Sequence, residues 1–158
     1  MSQTRATEIL EKIKSRSQYL IGNYDSDVDI AAPKLYSITT GAKKAEVNIK
    51  IRYNTSAVIV LNTGLVIGTG GSAAAGTAFT LTKRDLADTS TPVTVVRSDY
   101  ILGSSGQSAG TQIHTEFLPA ASESVLSFKL AASTIYGLVI TSIADNNYGS
   151  VVFEIDED

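Results

Sequence analysis

The chain has a single histidine, His114, and any acid–base or metal chemistry that needs imidazole must be built around it. A nucleophilic triad would bring it beside a serine and an acid, and a zinc site would bring it beside further nitrogen, sulfur or carboxylate ligands. Serine and aspartate are plentiful, so the sequence permits such a meeting. The G-x-S-x-G turn that presents a hydrolase nucleophile does not occur; Gly103-Ser104-Ser105-Gly106 does not fit it. His114 sits in a stretch of strict alternation, sharing one side with Gln112 and Glu116 while Ile113, Thr115 and Phe117 occupy the other. Period two places the first set on the wet face of a surface strand.

Three other groupings have the outline of a site. Val66-Ile67-Gly68-Thr69-Gly70-Gly71-Ser72 resembles a dinucleotide-binding glycine loop, which must open a helix to hold a pyrophosphate. Too few residues follow before the pattern turns to strand, so an inter-strand loop is expected and no cofactor. Asp25, Asp27 and Asp29 begin like a calcium loop but lack its glycine and distal glutamate, and are expected in a solvated linker. The C-terminal Glu154, Asp156, Glu157 and Asp158 are expected to form a solvated end that discourages edge pairing. There is no cysteine, which removes disulfides and thiolate metal sites. No metal and no enzymatic activity are expected.

Composition narrows the partners. Net charge is −3 and the only basic pairs are Lys43-Lys44 and Lys83-Arg84, so a nucleic-acid footprint is not expected. Charged residues are 18% of the chain, below the usual share of about 25%, and Ser, Thr, Ala and Gly fill the difference. Such a surface suits self-association. Aromatic content of 7% without tryptophan speaks against stacked sugar sites. No apolar run reaches the length of a membrane span, and the charged N-terminus lacks a signal-peptide core. No membrane partner is expected, and synthesis is placed in the cytoplasm.

The elements that would position these residues are mainly strands. Val47, Ile49 and Ile51 alternate with Asn48 and Lys50; Leu126, Phe128 and Leu130 with Ser127 and Lys129; Val151, Phe153 and Ile155 with Val152 and Glu154. Ala57 to Leu61 is continuously apolar, as in a strand covered on both sides. Eight to ten short strands with turn signals between them indicate a sandwich or barrel. Residues 4–21 differ: Ile9, Leu10, Ile13 and Leu20 mark one face of an amphipathic helix that Gly22 and Asn23 would end. The reading is all-β, an antiparallel jelly-roll-like sandwich over residues 36–158, joined by a linker (25–35) to an N-terminal helical arm (1–24). The apolar helix face is expected to contact a neighbouring subunit.

One resemblance bears on function. Gly76-Thr77-Ala78-Phe79-Thr80-Leu81-Thr82-Lys83-Arg84, Gly110-Thr111-Gln112-Ile113, Phe128-Lys129-Leu130, Thr134-Ile135-Tyr136-Gly137-Leu138-Val139-Ile140 and Val151-Val152-Phe153-Glu154-Ile155 resemble segments of small β-sandwich proteins of tailed bacteriophages. Those proteins decorate or cement the capsid, or form head fibres. They often carry Lys-Pro-Asn-Thr-x-Tyr before the penultimate strand; this chain keeps Thr134-Ile135-Tyr136 but has Ala132-Ser133 in place of Pro-Asn. The resemblance spans residues 76–155. It implies a structural protein located in the virion, a symmetric homo-oligomer such as a trimer, and the major capsid protein or other virion subunits as partners. A tail, neck or fibre-base adaptor, or a receptor- or glycan-binding module, would use the same fold.

Overall fold

The computed structural model describes residues 17–66, 76–83, 91–98 and 108–157, and every structural statement below concerns these. They form eleven strands and no helix: β1 (Ser17–Val28), β2 (Lys34–Thr39), β3 (Ala45–Tyr53), β4 (Ala57–Thr63), β5 (Thr77–Ala78), β6 (Thr82–Lys83), β7 (Val95–Ser98), β8 (Thr111–Leu118), β9 (Glu123–Leu130), β10 (Ile135–Ser142) and β11 (Asn147–Glu157). Two antiparallel sheets result, ordered β6-β1-β11-β3-β9 and β5-β7-β2-β10-β4-β8. The long strands pair outward from the middle of the chain. β4 pairs with β8, β3 with β9, β2 with β10 and β1 with β11, so the chain runs out through four strands and returns beside itself.

Alternation explains the core. In β3, Ala45, Val47, Ile49, Ile51 and Tyr53 are buried while the residues between them are wetter, and Val151, Phe153 and Ile155 continue the same face on β11. From the other sheet, Tyr36, Ile38, Ile59, Leu61, Leu138 and Ile140 close onto them. Each such side chain, fully buried, contributes about 1.5–3 kcal/mol. Tyr36 packs tilted against Phe153 at 5.4 Å and stacks on Phe79 at 6.4 Å between ring centres.

The segment around Phe79 and Leu81 is a strap between two short strands. β5 joins the six-stranded sheet through β7 and β6 joins the five-stranded sheet through β1, so the chain crosses between sheets at this side. Phe79 and Leu81, half-buried, pack against the core where it crosses.

The N-terminal reading requires correction. Residues 17–21, expected as the last turn of a helix, are strand, and Gly22 and Asn23 lie within β1 instead of stopping a helix. Leu20 is half-buried on the outer face of β1, opposite Glu154 and Thr82. Residues 25–35, expected as linker, form the end of β1, a tight turn bridged at Asp29 and Ala32, and the start of β2. The sandwich thus begins at Ser17, not at residue 36. Helical spacing misleads here because polar residues on β1 point inward. Asp25 is 5% exposed. Its carboxylate accepts hydrogen bonds from Tyr36 Oη (2.9 and 3.1 Å), Tyr53 Oη and Asn23 Nδ2 (2.8 Å), and Lys34 Nζ lies 3.5 Å away. Burial, and then the Asp25 carboxylate, hold the Tyr53 hydroxyl well above the ordinary tyrosine range. A buried carboxylate is tolerable only when its oxygens are satisfied, and this one has partners on three strands.

Candidate functional site

β8 and β9 are the outer strands of their sheets, and the turn from Pro119 to Ser122 joins them, so among the described residues one side of the sandwich carries two adjacent open edges of eight residues each. An open edge presents unpaired backbone donors and acceptors, which another chain can extend as an added strand.

The register of β8 reverses the sequence reading. His114 is opposite Leu61, Glu116 opposite Ile59 and Leu118 opposite Ala57, and these partners face the core. His114 and Glu116 therefore point inward at the rim, while Ile113 and Phe117, expected to be dry, point outward at 43% and 59% exposure. A bulge lies in the same strand: the pairing passes from His114 to Gln112 between Leu61 and Asn62, leaving Ile113 without an opposite residue. Alternation had located the two faces correctly but could not say which one meets the core.

The inward rim groups converge. His114 Nε2 lies 3.1 Å from Glu116 Oε2, Ser124 Oγ donates to Glu116 Oε1, and the His114 ring meets Phe128 edge-on at 5.9 Å. Histidine, acid and serine thus meet, but in an order unlike a nucleophilic triad. There the imidazole stands between hydroxyl and carboxylate and takes the hydroxyl proton. Here the carboxylate stands between the other two, and the hydroxyl is bonded to the weaker base. The arrangement satisfies an inward charge and ties β8 to β9. Both His114 and Glu116 remain about a third exposed, which keeps the pair's contribution below about 1 kcal/mol.

The outer face beside Phe117 is apolar. Phe117 is opposite Val58 on β4, and one row further Val60, Val139 and Leu35 stand side by side across β4, β10 and β2. Leu35 and Leu65 are buried in a second small cluster with Ile135 and Val139, separate from the core. Val58 and Val60, from the continuously apolar run of β4, are half-buried on this outer face, and the apolar stripe they continue ends at β8.

The other expected sites fare as follows. Ile9, Leu10 and Ile13 lie outside the described residues, as does most of the Val66–Ser72 glycine loop. Asp25, Asp27 and Asp29 diverge: Asp25 turns into the core, Asp27 is exposed, and Asp29 accepts from the Asn146 backbone N–H at 2.9 Å. The acidic C-terminus is not a solvated edge. β11 lies inside its sheet, Asp156 and Glu157 are buried, and Glu157 Oε1 accepts from the backbone of Val93 (3.1 Å) and Thr94 (2.6 Å). Among the described residues no group of three or more His, Cys, Asp or Glu is placed to hold a metal ion. Comparison with protein-family models, with curated proteins and with solved structures finds no match to this chain.

Proposed function

We propose that this protein is a structural component of a tailed-phage virion, a capsid cement or decoration protein that stabilises the shell by bridging neighbouring subunits. The observation that carries the reading is the open β8 edge with its apolar outer face. Phe117 and Ile113 project beside unpaired backbone, so a neighbouring virion subunit gains ladder hydrogen bonds and apolar burial in one contact. Covering the exposed part of Phe117 contributes about 1–2 kcal/mol, and repetition on a lattice multiplies modest contacts through avidity. The segmental resemblance to phage β-sandwich proteins supports the same assignment.

The strand orders β1-β11-β3-β9 and β2-β10-β4-β8 support a jelly roll as the specific topology, with β5, β6 and β7 as additions. Residues 1–16, with Ile9, Leu10 and Ile13 on one side, are assigned as an amphipathic arm for a neighbouring subunit in a symmetric homo-oligomer. The test is Phe117→Asp. Its side chain is largely in water, so stability should change by less than about 0.5 kcal/mol, while particle binding by the purified protein should fall at least tenfold. Undiminished binding would remove the edge from the proposal.

A further inference from the structure

At the end of the sandwich where the β3–β4, β8–β9 and β10–β11 turns meet, the outer face of the five-stranded sheet holds an open cavity of about 350 Å³. That volume is at the lower end of small-molecule sites. Tyr24, Ser150 and Arg52 stand in register on β1, β11 and β3. Two strand spacings, about 9–10 Å, separate the flanking pair, with the small Ser150 as floor between them. Tyr148, two residues along β11, and Asn54, just past β3, complete the wall. Tyr24 and Tyr148 are 66% and 45% exposed and do not stack on each other, whereas Tyr19, Tyr36, Tyr53 and Tyr136 are buried. Among the described residues, the side chains of Arg52, Asn54, Tyr24 and Tyr148 make no hydrogen bond or ion pair, and the guanidinium is not paired with Glu123, its cross-strand neighbour.

The scaffold around them is fixed. Asn147 donates to Thr55 O (3.1 Å) and Ser142 Oγ (3.0 Å) and accepts from the Thr55 backbone N–H (2.9 Å), while the Asn54 N–H donates to Tyr148 O (2.8 Å). β11 and β3 have strand neighbours on both sides along the cavity, whereas β1 is paired on its far side only at Tyr19 and Leu20; the cavity itself lies on the outer face of the sheet, where side chains are presented. Recognition falls to side chains: two phenol faces with their hydroxyls, one carboxamide and one free guanidinium. Aromatic faces pair with the C–H face of a sugar ring, the polar groups with its hydroxyls, and a lone guanidinium with one carboxylate. A nucleic acid would need several cations, and among the described residues lining the cavity Arg52 is the one cation.

We propose that this cavity binds an acidic saccharide, a sugar ring bearing one carboxylate, with Arg52 on the carboxylate and Tyr24 or Tyr148 against the ring. The proposal does not depend on the virion reading. The test is titration of the full-length ¹⁵N-labelled protein with N-acetylneuraminic acid, glucuronic acid and glucose. Saturable shifts confined to the ends of β1, β3 and β11 are expected for the acidic sugars, with a dissociation constant on the order of 1 mM. Arg52→Gln should weaken acidic-sugar binding about tenfold, and Tyr148→Ala about fivefold. Glu123→Gln should strengthen it by about two- to threefold, because a negative charge that repels the sugar carboxylate beside Arg52 is removed; a merely structural role would not produce that gain. No shift up to about 20 mM, an equal response to glucose, or shifts elsewhere on the sandwich would overturn the proposal.

Discussion

Replacing Asp25 with alanine is expected to destabilise the sandwich by about 3–5 kcal/mol, a large share of the roughly 5–15 kcal/mol by which domains are stable. The magnitude follows from what the carboxylate leaves behind. The Tyr53 hydroxyl loses its acceptor, and Tyr36 loses the oxygen pair 2.9 and 3.1 Å away. Each orphaned buried donor costs about 1–3 kcal/mol. Asn23 is less affected, since its amide also donates to Tyr36 Oη at 2.8 Å. Lys34 is partly exposed and can turn to water, so the loss of its 3.5 Å partner adds little. Tyr53→Phe removes one donor and leaves Asp25 its other partners, for an expected 1.5–3 kcal/mol. Urea unfolding followed by circular dichroism and tyrosine fluorescence is the assay. With a slope of about 1.5 kcal/mol per molar, the Asp25→Ala midpoint should fall by about 2–3 M. The double variant should cost less than the sum of the singles by at least about 1 kcal/mol, because both remove the same contact. A loss under about 1 kcal/mol for Asp25→Ala, or strict additivity, would refute the carboxylate as the hub joining β1, β2 and β3.

Alkaline unfolding follows from Tyr53. Its hydroxyl is held protonated in the folded state well above the unfolded value near 10, so its contribution is complete below about pH 10 and is lost as pH rises toward the folded value. Wild type should lose about 1 kcal/mol more than Tyr53→Phe between pH 10 and 11, measured by urea midpoints; equal losses would contradict the burial of this group. Gly149→Ala should destabilise by more than about 2 kcal/mol, because a Cβ there meets the Arg52 carbonyl and stands 2.6 Å from the Tyr53 ring. Gly22→Ala, whose Cβ would meet only Val152 Cγ2 at 3.7 Å, should lie within about 0.5 kcal/mol of wild type, both variants being measured by urea unfolding. Ile9→Asp with Ile13→Asp should abolish oligomer or particle assembly while the urea midpoint is unchanged; intact assembly with a destabilised fold would make this segment ordinary core.

Strands with an apolar face turned inward were readable from the sequence, as β3, β9 and β11 illustrate. β8 was not, because its apolar residues face outward and its inward positions hold His114 and Glu116. Alternation reports a period and leaves the choice of face to the neighbouring strand. β1 was hidden for a related reason: Asn23 and Asp25 look solvated until Tyr36 and Tyr53, 11 and 28 residues beyond Asp25, supply their partners. The sugar-sized cavity was invisible for want of register, since Tyr24, Arg52 and Ser150 become neighbours only when β1 and β3 flank β11.

The central proposal is a shell protein, and an electron-microscopy map of tailed-phage particles assembled in cells that make this chain tests it most directly. Hundreds of copies seated on the capsid lattice, with β8 and Phe117 against a neighbouring subunit, is the expected result. A dozen or fewer copies at the neck or tail, or absence from the particle, would contradict it.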